Sequence, residues 1–203
     1  MARVKQFDHE EVLDKALLLF WEKGYGATSV QDLVDRLGIN RFSIYASFGD
    51  KHGLLIAALD RYATCYANQL LDILEGDEDG LSAIQDFFRT MALALAGPNG
   101  KLGCPVQNIT LEMALHDETV AAKVREINGY QIAALKAALQ RARDAGNLQP
   151  AQDLDDLANY FFTVGQGMVV TTKWSRGASA AEVTARFIID EVESWRMTKE
   201  ADE

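Results

Sequence analysis

The sequence predicts an all-α protein. Apolar residues recur at the i, i+3, i+4 and i+7 spacing of a helix face almost everywhere between the loops. No stretch alternates polar and apolar residues as a half-buried strand would, and no internal repeat is found. The connecting segments are short and rich in residues that start or stop helices, so we expect about nine helices.

The composition limits the classes of function. The chain has 203 residues, of which 48% are hydrophobic, and a formal net charge of −10. It is long enough to bury its own core. So acidic a chain is not expected to coat nucleic acid or an acidic membrane through charge alone. The acidity lies mainly in the later part, because residues 1–51 carry seven Lys and Arg against eight Asp and Glu.

The sequence also predicts a cytoplasmic protein with no membrane partner and no cofactor. No apolar run approaches the ~18 to 20 residues that cross a bilayer, and the first ten residues lack the apolar core of a secretion signal. Two cysteines are too few for a disulfide framework, and the three histidines are scattered. Phosphate-binding loops, dinucleotide fingerprints and nucleophile elbows are not found, which lowers the expectation of an enzyme.

Two helices are predicted first. Asp8 and Glu11 form a capping-box pattern ahead of an apolar stripe, and Gly24 supplies the stop. A second, shorter helix can be capped by Thr28 or by Ser29. Its apolar residues follow the stripe of a helix that packs on one side.

The third helix is short and sharply bounded. Gly38 ends the second helix, and Asn40 is an N-cap for a helix over about 41–48. Asp50 caps a fourth helix whose stripe continues to Leu70. Five more are predicted at about 81–95, at about 106–116, from 118 to about 143, from Asp153, and over 180–195.

The second and third helices fit a helix-turn-helix signature. The bend between them needs a residue that tolerates positive φ, and Gly38 provides it at low cost. In the third helix, Ile44 and Phe48 share one side, which should pack on the first two helices. This leaves the opposite side of the third helix free to enter a DNA groove.

The opposite side of the third helix carries the candidate base-contacting groups. Phe42, Ser43 and Ala46 point there, with Arg41 at the helix start. In a major groove, arginine can bind guanine and an apolar ring can contact a thymine methyl. Phosphates favour helix N-termini, where backbone N–H groups are unpaired. The remaining candidate DNA contacts are Thr28, Ser29, Asn40, Tyr45, Ser47 and Lys51.

The segment "ALLLFWEKGYGATSVQDLVDRLGINRFSIYASFGDKHGLL" holds a wider pattern. Its marks are the turn at 20–26, Thr28, the Gly38 bend, Tyr45, Phe48, Lys51 and Leu54. On these residues, the stretch from about 7 to 55, about a quarter of the chain, resembles the TetR/AcrR family of bacterial transcriptional regulators. Phe42 stands where relatives often have a small residue, and Ser47 where histidine is common. These departures bear on base preference, not on the binding mode.

The resemblance implies a helix-turn-helix DNA-binding domain at 1–52 and a helical effector-binding and dimerisation domain at 53–203. Two copies would contact the half-sites of a palindromic double-stranded DNA operator. Repression would be relieved by a small-molecule inducer that prefers the released form. The last two helices are the expected interface, since Gly165 and Gly167 would allow close approach of helices. An ordinary core within one chain is the alternative.

Helices four to eight are expected to enclose the inducer. The candidate ligand-binding residues are Tyr62, Tyr66, Phe88, Cys104, Asn108, Met113, Tyr130, Phe162, Lys173 and Trp174. Each of the apolar ones is of a type that equally forms plain core.

Cys104 is a candidate for covalent sensing. It precedes a predicted helix whose dipole would lower its pKa, with Lys101 nearby. The Gly-Cys pair resembles that of electrophile- and oxidant-responsive repressors in the family, and Lys173 falls where a partner lysine occurs in some of them. The alternative is a buried thiol that only packs, as expected for Cys65.

Two other functions stay open at this stage. One is a helical enzyme that uses Cys104 as a nucleophile or redox group, although the sequence places no base or metal set beside it. The other is a regulator that answers to a protein partner instead of a small molecule.

Overall fold

The computed structural model describes residues 7–76, 79–148, 153–175, 177 and 179–196. Across these residues the regular structure is entirely helical, which confirms the predicted fold class. The helices are α1 (His9–Lys23), α2 (Val30–Leu37), α3 (Arg41–Phe48), α4 (Lys51–Tyr62), α5 (Asn68–Leu74), α6 (Gly80–Ala96), α7 (Pro105–Met113), α8 (Glu118–Asp144), α9 (Leu154–Ser175) and α10 (Ser179–Ser194). A π-helical turn, Ala63–Ala67, joins α4 to α5, and a 3₁₀ turn, Gly100–Leu102, precedes α7.

Local capping sets the boundaries of the first helices, as predicted. Asp8 accepts two backbone N–H groups in the first turn of α1. Of the two candidate caps for α2, Ser29 is the one used, because it forms a reciprocal capping box with Asp32. Gly38 ends α2 in the left-handed region at a φ of 70°, and Asn40 then caps α3.

The predicted fourth helix is not α-helical throughout. It changes to a π-helical turn at Ala63 and returns to an α-helix at Asn68. The hydroxyl of Thr64 donates to the carbonyl oxygens of Asp60, at 3.0 Å, and Arg61, at 3.2 Å. A side chain that bonds into the backbone ladder in this way favours an irregular turn. If α4, this turn and α5 are counted as one helix, the described residues contain nine helices, as expected.

The chain divides into two compact units. The first comprises residues 7–67 and 104–126 of the described chain, which hold α1 to α4, α7 and the start of α8. The second comprises the described residues within 68–103 and 127–203, which hold α5, α6, the rest of α8, α9 and α10. The predicted division at residue 52, between a DNA-binding domain and an effector-binding and dimerisation domain, concerns function and stays a prediction.

The core of the first unit forms between α1 and α4, with α2 and α3 packed beside them. Leu33 of α2, Ile44 of α3 and Leu54 of α4 are fully buried there. Burying one such side chain contributes about 1.5–3 kcal/mol relative to leaving it exposed. The two short helices therefore depend on this shared core.

The core of the second unit is aromatic. The rings of Phe87 and Phe88 lie 5.3 Å apart, and Phe88 lies 5.6 Å from Phe161. Trp195 stacks near Phe161 at 5.7 Å, and α6 packs extensively on α10. Among the described helices, none combines the length and apolar character that a membrane span requires.

We predict that Gly80→Ala strongly destabilises the second unit. A Cβ at Gly80 would lie 1.8 Å from the carbonyl oxygen of Ala138, so α6 and α8 would have to separate. Gly129→Ala is the matched control, because a Cβ there meets nothing within 4 Å on α8. That control should stabilise by about 0.5–1 kcal/mol. Urea unfolding of both variants checks the prediction, and equal midpoints would contradict it.

Candidate nucleic-acid interface

Helix α3 has a buried face and an exposed face. Ile44 is completely buried, which fixes α3 on the core of the first unit. On the other side, Phe42 is 76% exposed and Tyr45 is 41% exposed, with Arg41 and Ser47 exposed beside them. The helix contains no acidic residue. Its outer face therefore presents a guanidinium, hydroxyls and an aromatic ring to solvent, a combination suited to a major groove.

The N-termini of α2 and α3 use their side chains for capping. The Asn40 side-chain oxygen accepts the backbone N–H of Ser43 at 2.8 Å, and Ser43 itself is half-buried. At α2, hydrogen bonds from Lys23 and Ser29 hold the pKa of Asp32 far below its ordinary value. Lys23 pairs with Asp32 at 2.8 Å and so offsets the carboxylate in the first turn of α2.

Thr28 does not lie on the candidate DNA surface. Its side chain is completely buried, and its hydroxyl donates to the carbonyl oxygen of Gly24 at 2.6 Å. The Thr28 hydroxyl is therefore used within the chain, and the DNA contact expected of Thr28 stays a prediction. The residue instead closes the turn between α1 and α2, residues 24–29, which we call the α1–α2 turn.

Lys51 is also bound internally, in contrast to the expected free charge. Its Nζ donates to the carbonyl oxygens of Tyr25, at 2.7 Å, and Thr28, at 2.6 Å. The ammonium also lies 4.1 Å from the centroid of the Tyr25 ring, a cation–π contact. Burial lowers the pKa of Lys51. The side chain therefore holds the α1–α2 turn, and its reach toward a phosphate is limited.

Glu112 of α7 is a residue that the sequence interpretation missed. Its Oε2 accepts the backbone N–H of Tyr25 at 2.9 Å, and its Oε1 accepts that of Gly26 at 2.5 Å. A partial signal was present, because glycines on both sides of Tyr25 mark a place where another group approaches the backbone closely. Which residue approaches could not be read from sequence.

Two further contacts of the first unit were not predicted. His52 in the first turn of α4 contacts the carboxylate of Asp117 at 2.8 Å. Hydrogen bonding of Asp117 to the Val120 N–H and to His52 lowers its pKa. Lys123 of α8 pairs with Asp60 of α4 at 2.8 Å. Both contacts fix the start of α8 against α4.

Tyr62 and Cys104 are two ligand-binding candidates that the fold brings together. The Tyr62 hydroxyl lies 3.6 Å from the Cys104 sulfur. Burial raises the pKa of both groups, and for Cys104 this outweighs the hydrogen bonds from backbone N–H groups at the start of α7. The predicted lowering of the Cys104 pKa is therefore wrong, because desolvation is stronger here than the helix dipole. Asn108 and Met113 are half-buried on α7.

The candidates in the second unit lie in different environments. Phe88 is fully buried beside Phe87 and packs in the core, and its contact with a ligand stays a prediction. Tyr130 and Trp174 are 63% and 73% exposed, and Lys173 is exposed. Phe162 is half-buried. The side chain of Tyr66 lies outside the described residues.

The last two helices carry an exposed apolar surface. On α9, Tyr160, Val170 and Trp174 are exposed, and on α10, Val183 and Phe187 are 40% and 66% exposed. We call these five residues the α9–α10 apolar surface. They lie at spacings that share a helix face.

The two glycines of α9 have different surroundings. Gly165 is buried, and a Cβ there would lie 3.4 Å from Cε of Met91, so it serves packing within the chain. The expectation that Gly165 faces a second copy is therefore wrong. Gly167 is exposed with open space around its Cα.

Comparison with known families agrees with this geometry. A model of bacterial regulatory proteins of the tetR family matches residues 12–58, and a model of the tetracyclin repressor-like C-terminal domain matches residues 80–188. These matches define the chain as a helix-turn-helix regulator of transcription. It belongs to the TetR family. The family consists of regulators, which removes the alternative of a helical enzyme built on Cys104.

One relative shows the same family, and two solved structures show the same fold. The chain is 32% identical to the HTH-type transcriptional repressor ComR of Escherichia coli strain K12, over 87% of this chain and 84% of the relative. A cysteine mutant of the TetR family regulator CifR, solved with a 26-base-pair operator DNA, has a TM-score of 0.84 at 24% identity, covering 93% of this chain and 98% of that one. Reduced Escherichia coli NemR has a TM-score of 0.79 at 18% identity, covering 95% and 98%.

We predict that Lys51→Met destabilises the first unit by about 1–3 kcal/mol, because the two carbonyl oxygens of the α1–α2 turn lose their donor. Methionine keeps most of the length of the side chain and removes the ammonium. Arg41→Ala is the control, because Arg41 is exposed and off the core, so stability should stay the same. Chemical unfolding of both variants measures the difference. If the Lys51→Met protein is as stable as wild type, the internal role of Lys51 is contradicted, and a phosphate contact is the better interpretation.

Proposed function

We propose that the chain is a homodimeric repressor that binds a palindromic double-stranded DNA operator and releases it when a small molecule or electrophile binds. The observation that carries the proposal is the outer face of α3. Arg41, Phe42 and Tyr45 are exposed there around a completely buried Ile44. Phe42 is 76% exposed beside the exposed guanidinium of Arg41, and a major groove offers thymine methyl groups to such a ring and guanine to such a guanidinium.

The charge distribution supports DNA as that partner. The whole chain carries −10, but α3 carries only the positive charge of Arg41. Acidic groups that sit near α2 are partly neutralised, as Asp32 is by Lys23. Within α2, the carboxylate nearest to the helix start is thus neutralised, and α3 has no carboxylate, so phosphates can approach the start of α2 and the face of α3.

The α9–α10 apolar surface supports assembly of two copies. Two helices that pack on each other each expose large apolar side chains, five in all, which is more than the scattered exposure usual for a monomer. A second copy related by a two-fold axis would present the same surface, so the two would form a helical bundle. A dimer gives two DNA-binding units, and a palindromic operator has two matching half-sites.

We predict that the full-length protein selects a palindromic duplex from a random-sequence library. The half-sites should be separated by about one helical turn or a multiple of it. Arg41→Ala should reduce discrimination at one base pair of each half-site by about tenfold, since a bidentate contact to guanine contributes about 1–3 kcal/mol. Arg36→Ala is the control, because Arg36 lies on α2 and not on α3 and pairs with Glu22 of α1. Failure to enrich any duplex at low salt would contradict the proposed function.

The role of Cys104 distinguishes two classes of inducer, an electrophile that reacts with the thiol and a molecule that binds without reaction. The thiol contacts Tyr62, and its raised pKa keeps most of it protonated near neutral pH. A reaction with an electrophile then depends on the small thiolate fraction, which increases as pH rises. A non-covalent inducer would not show this dependence.

We predict that Cys104→Ser keeps operator binding and loses release by p-benzoquinone, hypochlorite or aldehydes. The rate of release of the wild-type protein by quinone should increase between pH 7 and pH 9, following the thiolate. Cys65→Ser serves as the matched control and should respond like wild type. Both properties are measured by fluorescence anisotropy on the selected duplex. An unchanged response in Cys104→Ser would assign the thiol to packing and favour a non-covalent inducer.

A further inference from the structure

The α1–α2 turn is held by opposite charges from two other helices. Lys51 of α4 donates to the carbonyl oxygens of Tyr25 and Thr28. Glu112 of α7 accepts the N–H groups of Tyr25 and Gly26 at 2.9 and 2.5 Å. Tyr25 is therefore fixed through its carbonyl by one helix and through its N–H by another.

The approach of Glu112 depends on glycine. A Cβ at Gly24 would lie 3.1 Å from Oε2 of Glu112, and a Cβ at Gly26 would lie 3.0 Å from Oε1. Both distances are tighter than ordinary van der Waals contact. The carboxylate is exposed, so it contributes little through burial. Its effect on the turn comes from two charge-assisted hydrogen bonds with defined direction.

The position of α7 is itself fixed against the helices that carry the turn. Helix α7 packs on α1, and the start of α8 is tied to α4 by the contacts His52–Asp117 and Lys123–Asp60, each 2.8 Å long. A shift of α7 would therefore move the Glu112 carboxylate relative to the α1–α2 turn. The contacts His52–Asp117 and Lys123–Asp60 would oppose such a shift.

The α1–α2 turn leads directly into Ser29, the N-cap of α2. Helix α2 is followed after Gly38 and two further residues by α3. A displaced turn would change where α2 begins and how its N–H groups face a phosphate. Displacements of about 1 Å are large compared with the tolerance of such contacts.

We infer that Glu112 is a positioning residue for DNA binding, which couples the place of α7 to the geometry of the α1–α2 turn. The inference rests on the proposed function. Glu112 lies outside residues 12–58, which the DNA-binding family model matches. It acts on DNA through the backbone of Tyr25 and Gly26 and does not contact the duplex.

Neutralising Glu112 has opposite expected effects on DNA affinity if the residue positions the turn and if it only repels phosphates. A carboxylate in the DNA-binding unit repels phosphates, so its neutralisation alone should strengthen DNA binding. A positioning role requires the opposite, because glutamine replaces one of the two accepting oxygens with an NH₂ group, which would face a backbone N–H as a second donor. The direction of the change in affinity is therefore diagnostic.

The first experiment measures affinity for the duplex that the wild-type protein selects from a random-sequence library. Glu112→Gln should weaken binding by about tenfold, within the usual range of couplings between sites. Glu118→Gln removes the same charge from an exposed carboxylate that pairs with Arg125, and it should change affinity by at most about twofold. Equal or tighter binding by Glu112→Gln would overturn the inference.

The second experiment distinguishes positioning from general destabilisation. Gly26→Ala pushes on the carboxylate from the other side and should also weaken binding. In Glu112→Ala the same glycine substitution should weaken binding no further. Apart from the two residues adjacent to Gly26, Oε1 of Glu112 is the one heavy atom of the described structure within 4 Å of that Cβ. Additive losses would assign both changes to unrelated defects and overturn the inference.

A third readout needs no DNA. Hydrogen exchange of the Tyr25 and Gly26 amides should accelerate in Glu112→Gln and stay unchanged in Glu118→Gln. If the wild-type protein selects no duplex, the proposed function fails and the inference fails with it. If the wild-type protein binds its duplex, and Glu112→Gln binds as well with unchanged amide exchange, the inference alone fails.

Discussion

The candidate DNA surface depends on the burial of α2 and α3 against α1 and α4. Each of the two short helices has eight residues, too few to be stable alone in water. Leu33 and Ile44 supply their anchors, and both are completely buried. Everything exposed on α3 takes its direction from Ile44, because a helix with one fixed inward side chain has a fixed outward face.

Local signals were sufficient to predict most of the fold. Caps act over three or four residues, so Asp8, Ser29, Asn40 and Asp50 located the helix starts correctly, and Gly38 located the bend. The exposed position of Arg41 and Phe42 followed from the helical repeat in the same way. The π-helical turn was missed because a period of 3.6 residues does not reveal one added residue.

The parts of the site that sequence could not predict depend on distant residues. Lys51 was expected to be free because its partners, two backbone carbonyl oxygens more than twenty residues away, leave no side-chain signature. Glu112 lies 86 residues from Gly26. The Cys104 pKa depends on how many groups surround the thiol, and the helix dipole at its position gave the opposite direction. Burial and long-range pairing are properties of the assembled chain.

The two glycines beside Tyr25 have an evolutionary consequence. Each leaves room for one oxygen of the Glu112 carboxylate, and a methyl group in either place would press on it. A lineage that replaced Gly26 would relieve the crowding by shortening or losing the acidic side chain, and a lineage that lost the acid would be free to replace Gly26. Gly24 is held in addition by its φ of 83°, which other residues rarely adopt. Gly26 and Glu112 should therefore covary among descendants of a common ancestor, although 86 residues separate them along the chain.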